Sequence, residues 1–289
     1  RDGGSHTFAQ DAASAMVASP RRTAVTAAVL LGTAAWAQDC KPAHEFKTVE
    51  AGKLTVAIYE YPPFSSVAAG GEIGGVDSDI AKAIAKANCL EVVPVSVDPA
   101  ATIQYVISGK ADIAVGDWYR TEERAKVLGL SYPTYLDQMG IYSKEGFSKV
   151  EDLMGKKVGT ISGFLWVAEL QTLLGDNLVL YPNPVALAQD LAAGRVDVGV
   201  DSYGTGVYAQ KSGGYAGIHI KVAEPDDRVQ ASIQAAQAAL LYSKDNPEFG
   251  AALDAGIQEM HGSGELAEIL KSNGLDPSGA DVGEPRLVK

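Results

Sequence analysis

Ser108–Asp117 reads SGKADIAVGD, and Ala193–Ser202 reads AGRVDVGVDS. In both, a Gly and a basic residue end a helical stretch, an Asp opens a short run of small and β-branched residues, and polar residues follow at once. Gly109 and Gly194 suit the left-handed residue that closes a helix. Ile113-Ala114-Val115 and Val198-Gly199-Val200 are short, apolar and bounded, as strands covered on both faces are. Ligands of open α/β sheets sit beyond the carboxyl ends of the strands. A phrase used twice therefore predicts two α/β lobes, each presenting a strand end to a gap between them.

Outward from the two copies, strand and helix alternate in each half. Leu54–Tyr59 reads as a strand, stopped by Pro62 and Pro63, and Gly70–Gly75 as a loop or hairpin. Asp77 or Ser78 is expected to cap a helix running to about Asn88, Leu90–Val97 to form a strand, and residues 100–108 a helix. Thr121–Val127 reads as a turn or two of helix capped by Thr121. In the second half, Val150–Leu153 begins a helical turn, Lys157–Ile161 is a strand, Phe164–Leu174 a helix, Leu178–Tyr181 a strand and Val185–Ala193 a helix. This is the pattern of doubly wound sheets. Extended crossings near Met139–Ser143 and Ala238–Ser243 bracket the second lobe, a layout that permits hinge closure. Asn246–Leu270 carries helical periodicity, and residues 272–289 read as loose. The expected division is a first lobe of residues 38–141 plus 238–275, a second of 142–237, and a tail of 276–289.

The chain has 289 residues, 46% hydrophobic, with net charge −12. Two modest cores fit that length. The acidic balance argues against nucleic acid, which wants a basic stripe. Arg21-Arg22, the apolar run of residues 23–37 and Ala35-Trp36-Ala37 read as a signal peptide cut after Ala37, too short for a permanent anchor. A twin-arginine route lacks the rest of its signal. The two cysteines, Cys40 and Cys89, suit either one disulfide in an exported protein or a merely buried thiol at Cys89. His6, His44, His219 and His261 fall outside the expected cleft, so neither metal nor cofactor is indicated.

The markers LTVAIYEYPPF (54–64), GVDSDI (75–80), GKADIAV (109–115), TEERAK (121–126), YPTY (132–135), KVGTISG (157–163), GRVDVGVD (194–201) and GELAEILKSNG (264–274) together resemble the extracytoplasmic solute-binding proteins of amino-acid uptake transporters, family 3, with the type II periplasmic binding fold. The resemblance covers roughly residues 50–275. It implies a monomeric, extracytoplasmic, non-enzymatic protein that hands a small solute to an ABC permease. It also implies that Arg124 forks onto a ligand carboxylate, a geometry lysine lacks, and that Asp201 receives a ligand ammonium. The plain alternatives are a solvated helix residue for Arg124 and a turn former for Asp201.

Two departures stand out against the family pattern. Asp117-Trp118-Tyr119, after Gly116, replaces small hydroxyl residues, and Phe164 follows Gly163 where hydroxyls are usual. The Gly163 helix end is still expected to offer backbone N–H groups to an anion. Tyr61 and Phe64 lie where the family stacks aromatics on its ligand. These residues, with Tyr203 and Trp166, imply a roomier, more acidic and aromatic cleft suited to an amine; for Trp166 core packing is equally natural, and Glu60 is either a cation partner or a solvated charge. An enzyme of the cyclohexadienyl dehydratase kind on the same fold is the alternative function, with Asp117 or Glu169 as its acid.

Overall fold

Short apolar strands separated by helices bury both faces by lying side by side under a helical cover. The computed structural model, which describes residues 40–289, builds two such sheets. The expected leader, residues 1–37, lies outside the described residues. In chain order come β1 (Lys53–Ile58), a hairpin of β2 (Ser66–Val67) and β3 (Ile73–Gly74), α1 (Val76–Ala87), β4 (Glu91–Ser96), α2 (Pro99–Ile107), β5 (Ile113–Tyr119), α3 (Glu122–Val127), β6 (Gly129–Leu130) and β7 (Leu136–Asp137). There follow β8 (Met139–Ser143), β9 (Val158–Ile161), α4 (Val167–Leu174), β10 (Leu178–Tyr181), α5 (Pro184–Ala192), β11 (Val198–Ser202), α6 (Tyr203–Lys211) and β12 (His219–Val222). The chain returns through β13 (Ala236–Tyr242) to α7 (Pro247–Ser263) and α8 (Glu265–Ser272).

The first sheet has the order β4-β1-β5-β13-β6, with β7 on β13, and the second β10-β9-β11-β8-β12. In each, three parallel strands accept one antiparallel strand from a crossing segment: β13 beside β5, and β8 beside β11. Leu54, Val56, Ile80, Ile84, Leu253 and Ile257 fill the core of the first sheet, and Ile141, Val158, Leu170, Val198 and Val200 that of the second.

The doubled phrase does the same work twice. Gly109 (φ 66) and Gly194 (φ 68) close α2 and α5 in the left-handed conformation. Asp112 then accepts the Thr55 N–H at 2.7 Å while its own N–H donates to the Thr55 carbonyl at 2.9 Å. Asp197 does the equivalent with Lys157, at 2.8 Å in both directions. Each Asp therefore pins the register between the phrase and the neighbouring parallel strand, β1 in the first sheet and β9 in the second.

Several elements differ from the sequence expectation. Gly75 precedes α1 with no side-chain cap, so neither Asp77 nor Ser78 caps it. α4 starts at Val167, three residues later than expected, because residues 162–166 form turns. The long C-terminal helix is broken by Gly264 in the left-handed region (φ 80) into α7 and α8. α6 was not anticipated. Cys40 and Cys89 form a disulfide between the N-terminal tail and the end of α1.

The tail is held rather than loose. Gln237 Nε2 donates to the carbonyls of Val282 and Glu284, and Gln237 Oε1 accepts the Arg286 N–H, all at 2.8 Å. Arg286 Nη2 donates to the Ala235 carbonyl at 2.7 Å. Val288 exchanges backbone hydrogen bonds of 2.9 Å with Arg120 and Glu122. The tail thus straps the end of β5 to the start of β13.

Candidate functional site

β5 runs past the expected strand end, through Gly116 (φ 128) and Asp117 (φ 58). A non-glycine residue in the left-handed region needs outside support. Asp77 supplies it, its Oδ2 accepting the N–H groups of Gly116 and Asp117 at 2.8 Å each while its Oδ1 accepts the Tyr135 hydroxyl at 2.9 Å. Burial pushes the Asp77 carboxyl up, and these hydrogen bonds oppose the rise. A Cβ on Gly116 would lie 2.2 Å from Tyr59 Cε1, and the Tyr59 hydroxyl donates to the Gly116 carbonyl at 2.6 Å. Asp77 escaped the sequence reading because a carboxylate at a helix start looks the same whether it caps its own helix or reaches another strand.

Arg124 follows from its helix cap. Thr121 Oγ1 accepts the Arg124 N–H at 3.1 Å, and the guanidinium turns inward. Its Nη1 donates to the Tyr119 carbonyl at 2.7 Å, its Nη2 to the Gly163 carbonyl at 3.4 Å, and Cζ lies 4.8 Å from the Trp118 ring centroid. Burial lowers its pKa to about 10. Among the described residues, no carboxylate lies within ion-pair distance of it.

Tyr61, Asp117, Trp118, Tyr119 and Arg124 from the first lobe meet Phe164, Leu165 and Trp166 from the second around a cavity of about 20 Å³. Aromatic rings occupy most of the space beside Arg124. Phe164 stands edge-on to Tyr61, Trp118 and Trp166, with centroids 5.7, 6.3 and 5.6 Å away. The Asp117 Oδ1 and Trp118 Nε1 atoms are buried without a hydrogen-bond partner. Burial, and after it the charges of Asp137 and Asp77, push the Asp117 carboxyl well above its usual range.

Asp201, at the end of β11, is fully buried and does not line the cavity. Its Oδ1 accepts the Tyr61 hydroxyl from the opposite lobe and the Ser202 N–H at 2.8 Å, while its Oδ2 has no partner. Burial pushes its pKa up to about 7 against those two hydrogen bonds. The guanidinium and this carboxylate are thus not directly opposed across one cavity; Tyr61, which lines the cavity beside Arg124, donates its hydroxyl to Asp201. Asp137, which the sequence reading passed over, accepts the Tyr119 hydroxyl at 2.5 Å and the Gly204 N–H at 3.2 Å.

The remaining candidates separate from this group. Phe64 is core, stacked on Tyr135 at 5.2 Å. Gly163 presents a carbonyl to Arg124 rather than N–H groups, since α4 begins only at Val167. Gly116 shapes the backbone without lining the cavity. Trp166 serves both cavity and core, its Nε1 donating to Thr160 Oγ1 at 2.7 Å. Glu60 accepts the Val67 N–H at 2.5 Å, Glu169 accepts the Gln230 N–H, and Tyr203 lies on α6 away from the cavity. The cavity thus holds a cation without an anion and an under-partnered carboxyl, Arg124 and Asp117, on the first lobe, while the second under-partnered carboxyl, Asp201, lies behind Tyr61.

Among proteins of known function, the chain is 30% identical over 139 residues to ABC transporter arginine-binding protein 1 of Escherichia coli (strain K12), covering 47% of this chain and 57% of that protein. It is 29% identical over 143 residues to the lysine/arginine/ornithine-binding periplasmic protein of the same strain, covering 47% and 55%. The chain thus spans just over half the length of these relatives. Among solved structures, an amino-acid ABC transporter substrate-binding protein from Streptococcus pneumoniae bound to L-arginine superimposes with a TM-score of 0.68 at 29% identity, covering 77% of this chain and 94% of that one. An ancestral arginine-binding protein bound to glutamine gives 0.68 at 28% identity, covering 77% and 98%. The fold is the type II periplasmic binding fold these structures share. Residues 54–275 match a single family description, and the chain belongs to the bacterial extracellular solute-binding proteins, family 3.

Proposed function

We propose that the protein captures a small amino-acid-like or amine-bearing solute between its lobes, outside the cytoplasm, and delivers it as a monomer to an ABC permease. The observation that carries this reading is Arg124, an inward-turned guanidinium with no carboxylate partner among the described residues, seated on Trp118 against the cavity. A buried cation lacking an anion favours an anionic guest. The ligand's cationic end is assigned to Asp117 and Asp201, each of which keeps a buried oxygen without a partner. Closure over the guest then adds charged hydrogen bonds from both lobes, about 1.5–3 kcal/mol each. The relatives that the chain matches are binding components of transporters, which favours capture over turnover.

The test is calorimetry with a panel of amino acids and amines, opening with L-arginine. Arg124→Ala is expected to weaken an anionic ligand by roughly 2–5 kcal/mol, because truncation leaves the ligand charge unpaired. Unchanged affinity in that variant refutes the assignment of Arg124.

A further inference from the structure

The helix that carries Arg124 has no packed face. α3 spans six residues, Glu122–Val127, and none of them is buried. Helices in proteins are fixed mainly by packing an apolar face, and one this short does not hold on its own. The direction of Arg124 is therefore set at the ends of α3. Lys244 serves one end, its Nζ donating to the Ala125 carbonyl at 2.8 Å. At the other end the strap of residues 282–288 closes on the backbone. The Val288 N–H donates to the Arg120 carbonyl, and the Val288 carbonyl accepts the Glu122 N–H, both at 2.9 Å. These two bonds bracket Thr121, which caps Arg124 and lies in parallel register with Val288. Arg120 tightens the clasp, its Nε donating to the Arg286 carbonyl at 3.4 Å and its Nη1 to the Ser131 carbonyl beyond α3. The half-buried Val288 side chain packs against the apolar cluster that contains Tyr119 and Trp166, two walls of the cavity.

We propose that the strap is a positioning element for Arg124, with Val288 holding the cap of α3 so that the guanidinium stays on Trp118 and against the cavity. This rests on the reading above, that Arg124 takes the anionic end of the solute. Three features favour it. A forked guanidinium–carboxylate contact needs the guanidinium plane held in one orientation, yet the contacts Arg124 makes are two carbonyls and a ring face, which leave it without a fixed ionic partner. The grip of Val288 falls on the residues either side of the Thr121 cap, the point from which α3 takes its direction. The strap is itself tied to a rigid element, because Gln237 of β13 holds Val282, Glu284 and Arg286, and Arg286 reaches the Ala235 carbonyl just before that strand. Val288 does not line the cavity, so it acts only through the segment it holds. Releasing it should weaken recognition of a carboxylate more than recognition of the rest of the solute.

The test compares L-arginine with agmatine, the same molecule without its carboxylate, by calorimetry on the full chain. In the parent a forked ion pair should favour L-arginine by about tenfold or more. Val288→Pro, which removes the N–H that donates to Arg120, should bring that preference below about threefold on the same scale. Arg286→Ala, which loosens the strap where it joins β13, should lower it in the same direction. Cys89→Ser, which weakens the fold elsewhere, should leave the preference unchanged. A second arm needs no ligand: hydrogen exchange at the Arg124, Ala125 and Leu128 amides should quicken about tenfold or more in Val288→Pro, while the amides of β9 keep their parent rates. Unchanged exchange at those three amides overturns the role of the strap, whatever binds. A preference lost in Arg124→Ala but intact in both strap variants overturns the strap and spares the reading of Arg124. A preference absent from the parent, or one that survives Arg124→Ala, sinks that reading and the positioning role with it. Equal loss in Cys89→Ser reduces the strap to general stability and refutes the proposal.

Discussion

Asp201 and Arg124 show how burial gives single side chains their character. An aspartate in the unfolded chain ionises near 3.8, and burial raises Asp201 to about 7. Between those values the folded protein holds a proton that the unfolded chain has released, so this residue's contribution to stability falls as pH rises from about 4 to about 7. Asp201→Asn should remove that slope, so the melting temperature of the variant relative to the parent climbs across the same window in thermal denaturation. Affinity for a cationic solute should run the other way, strengthening as pH rises through about 7 and the carboxylate forms. At Gly116, substitution by Ala meets both a φ of 128 and the Tyr59 ring, and should cost about 2 kcal/mol or more in urea unfolding. The position of Arg124 was legible from its Thr cap and helix register. Its inward turn was not, because that depends on how the chain folds back to bring the Tyr119 carbonyl, the Trp118 ring and the more distant Gly163 carbonyl around the guanidinium.

Elements with local signals were the most readable. Asn183 and Thr121 caps, the prolines opening α2 and α5, and the glycines closing those helices all mark boundaries within a residue or two. α6 was harder to read, since its opening Tyr-Gly-Thr-Gly has poor helix propensity and masks the Ser202 cap before it. It is held by that cap, which accepts the Thr205 N–H at 3.2 Å, and by Asp137 of the crossing segment on the Gly204 N–H. The strap of residues 282–288 was hidden for a similar reason, because Gln237, buried in β13, supplies its partners. Gln237→Ala should leave those backbone groups short of partners and cost about 1–3 kcal/mol, measured by chemical denaturation. The Cys40–Cys89 bridge closes a loop with a sequence separation of 49. Reducing it, or changing Cys89→Ser, should lower stability by about 2–4 kcal/mol and show as a reduced melting temperature in reductant.

At the scale of the molecule, two-lobed architecture followed from a phrase written twice, because each copy encodes a helix end, a register pin and a strand end. How tightly the lobes meet did not follow. Closure depends on contacts such as Tyr61 with Asp201, 140 residues apart, and on Phe164 seated among rings of the facing lobe. Tyr61→Phe removes the phenolic oxygen and leaves a buried acid with one fewer donor. The solute-free variant should therefore shift toward an open form, seen as a larger radius of gyration in small-angle scattering; an unchanged radius means that this hydrogen bond does not hold the lobes together.

The Tyr61 phenol also sets a threshold. Because the first lobe carries a phenol that occupies one oxygen of the second lobe's acid, a solute cation bound for Asp201, as proposed above, would compete with a rival tethered inside the same molecule. If nine molecules in ten rest with that rival in place, observed affinity is about tenfold weaker than the intrinsic value. Weakly held amines then fail to displace it, and discrimination among abundant look-alikes is written into the resting state before any guest arrives.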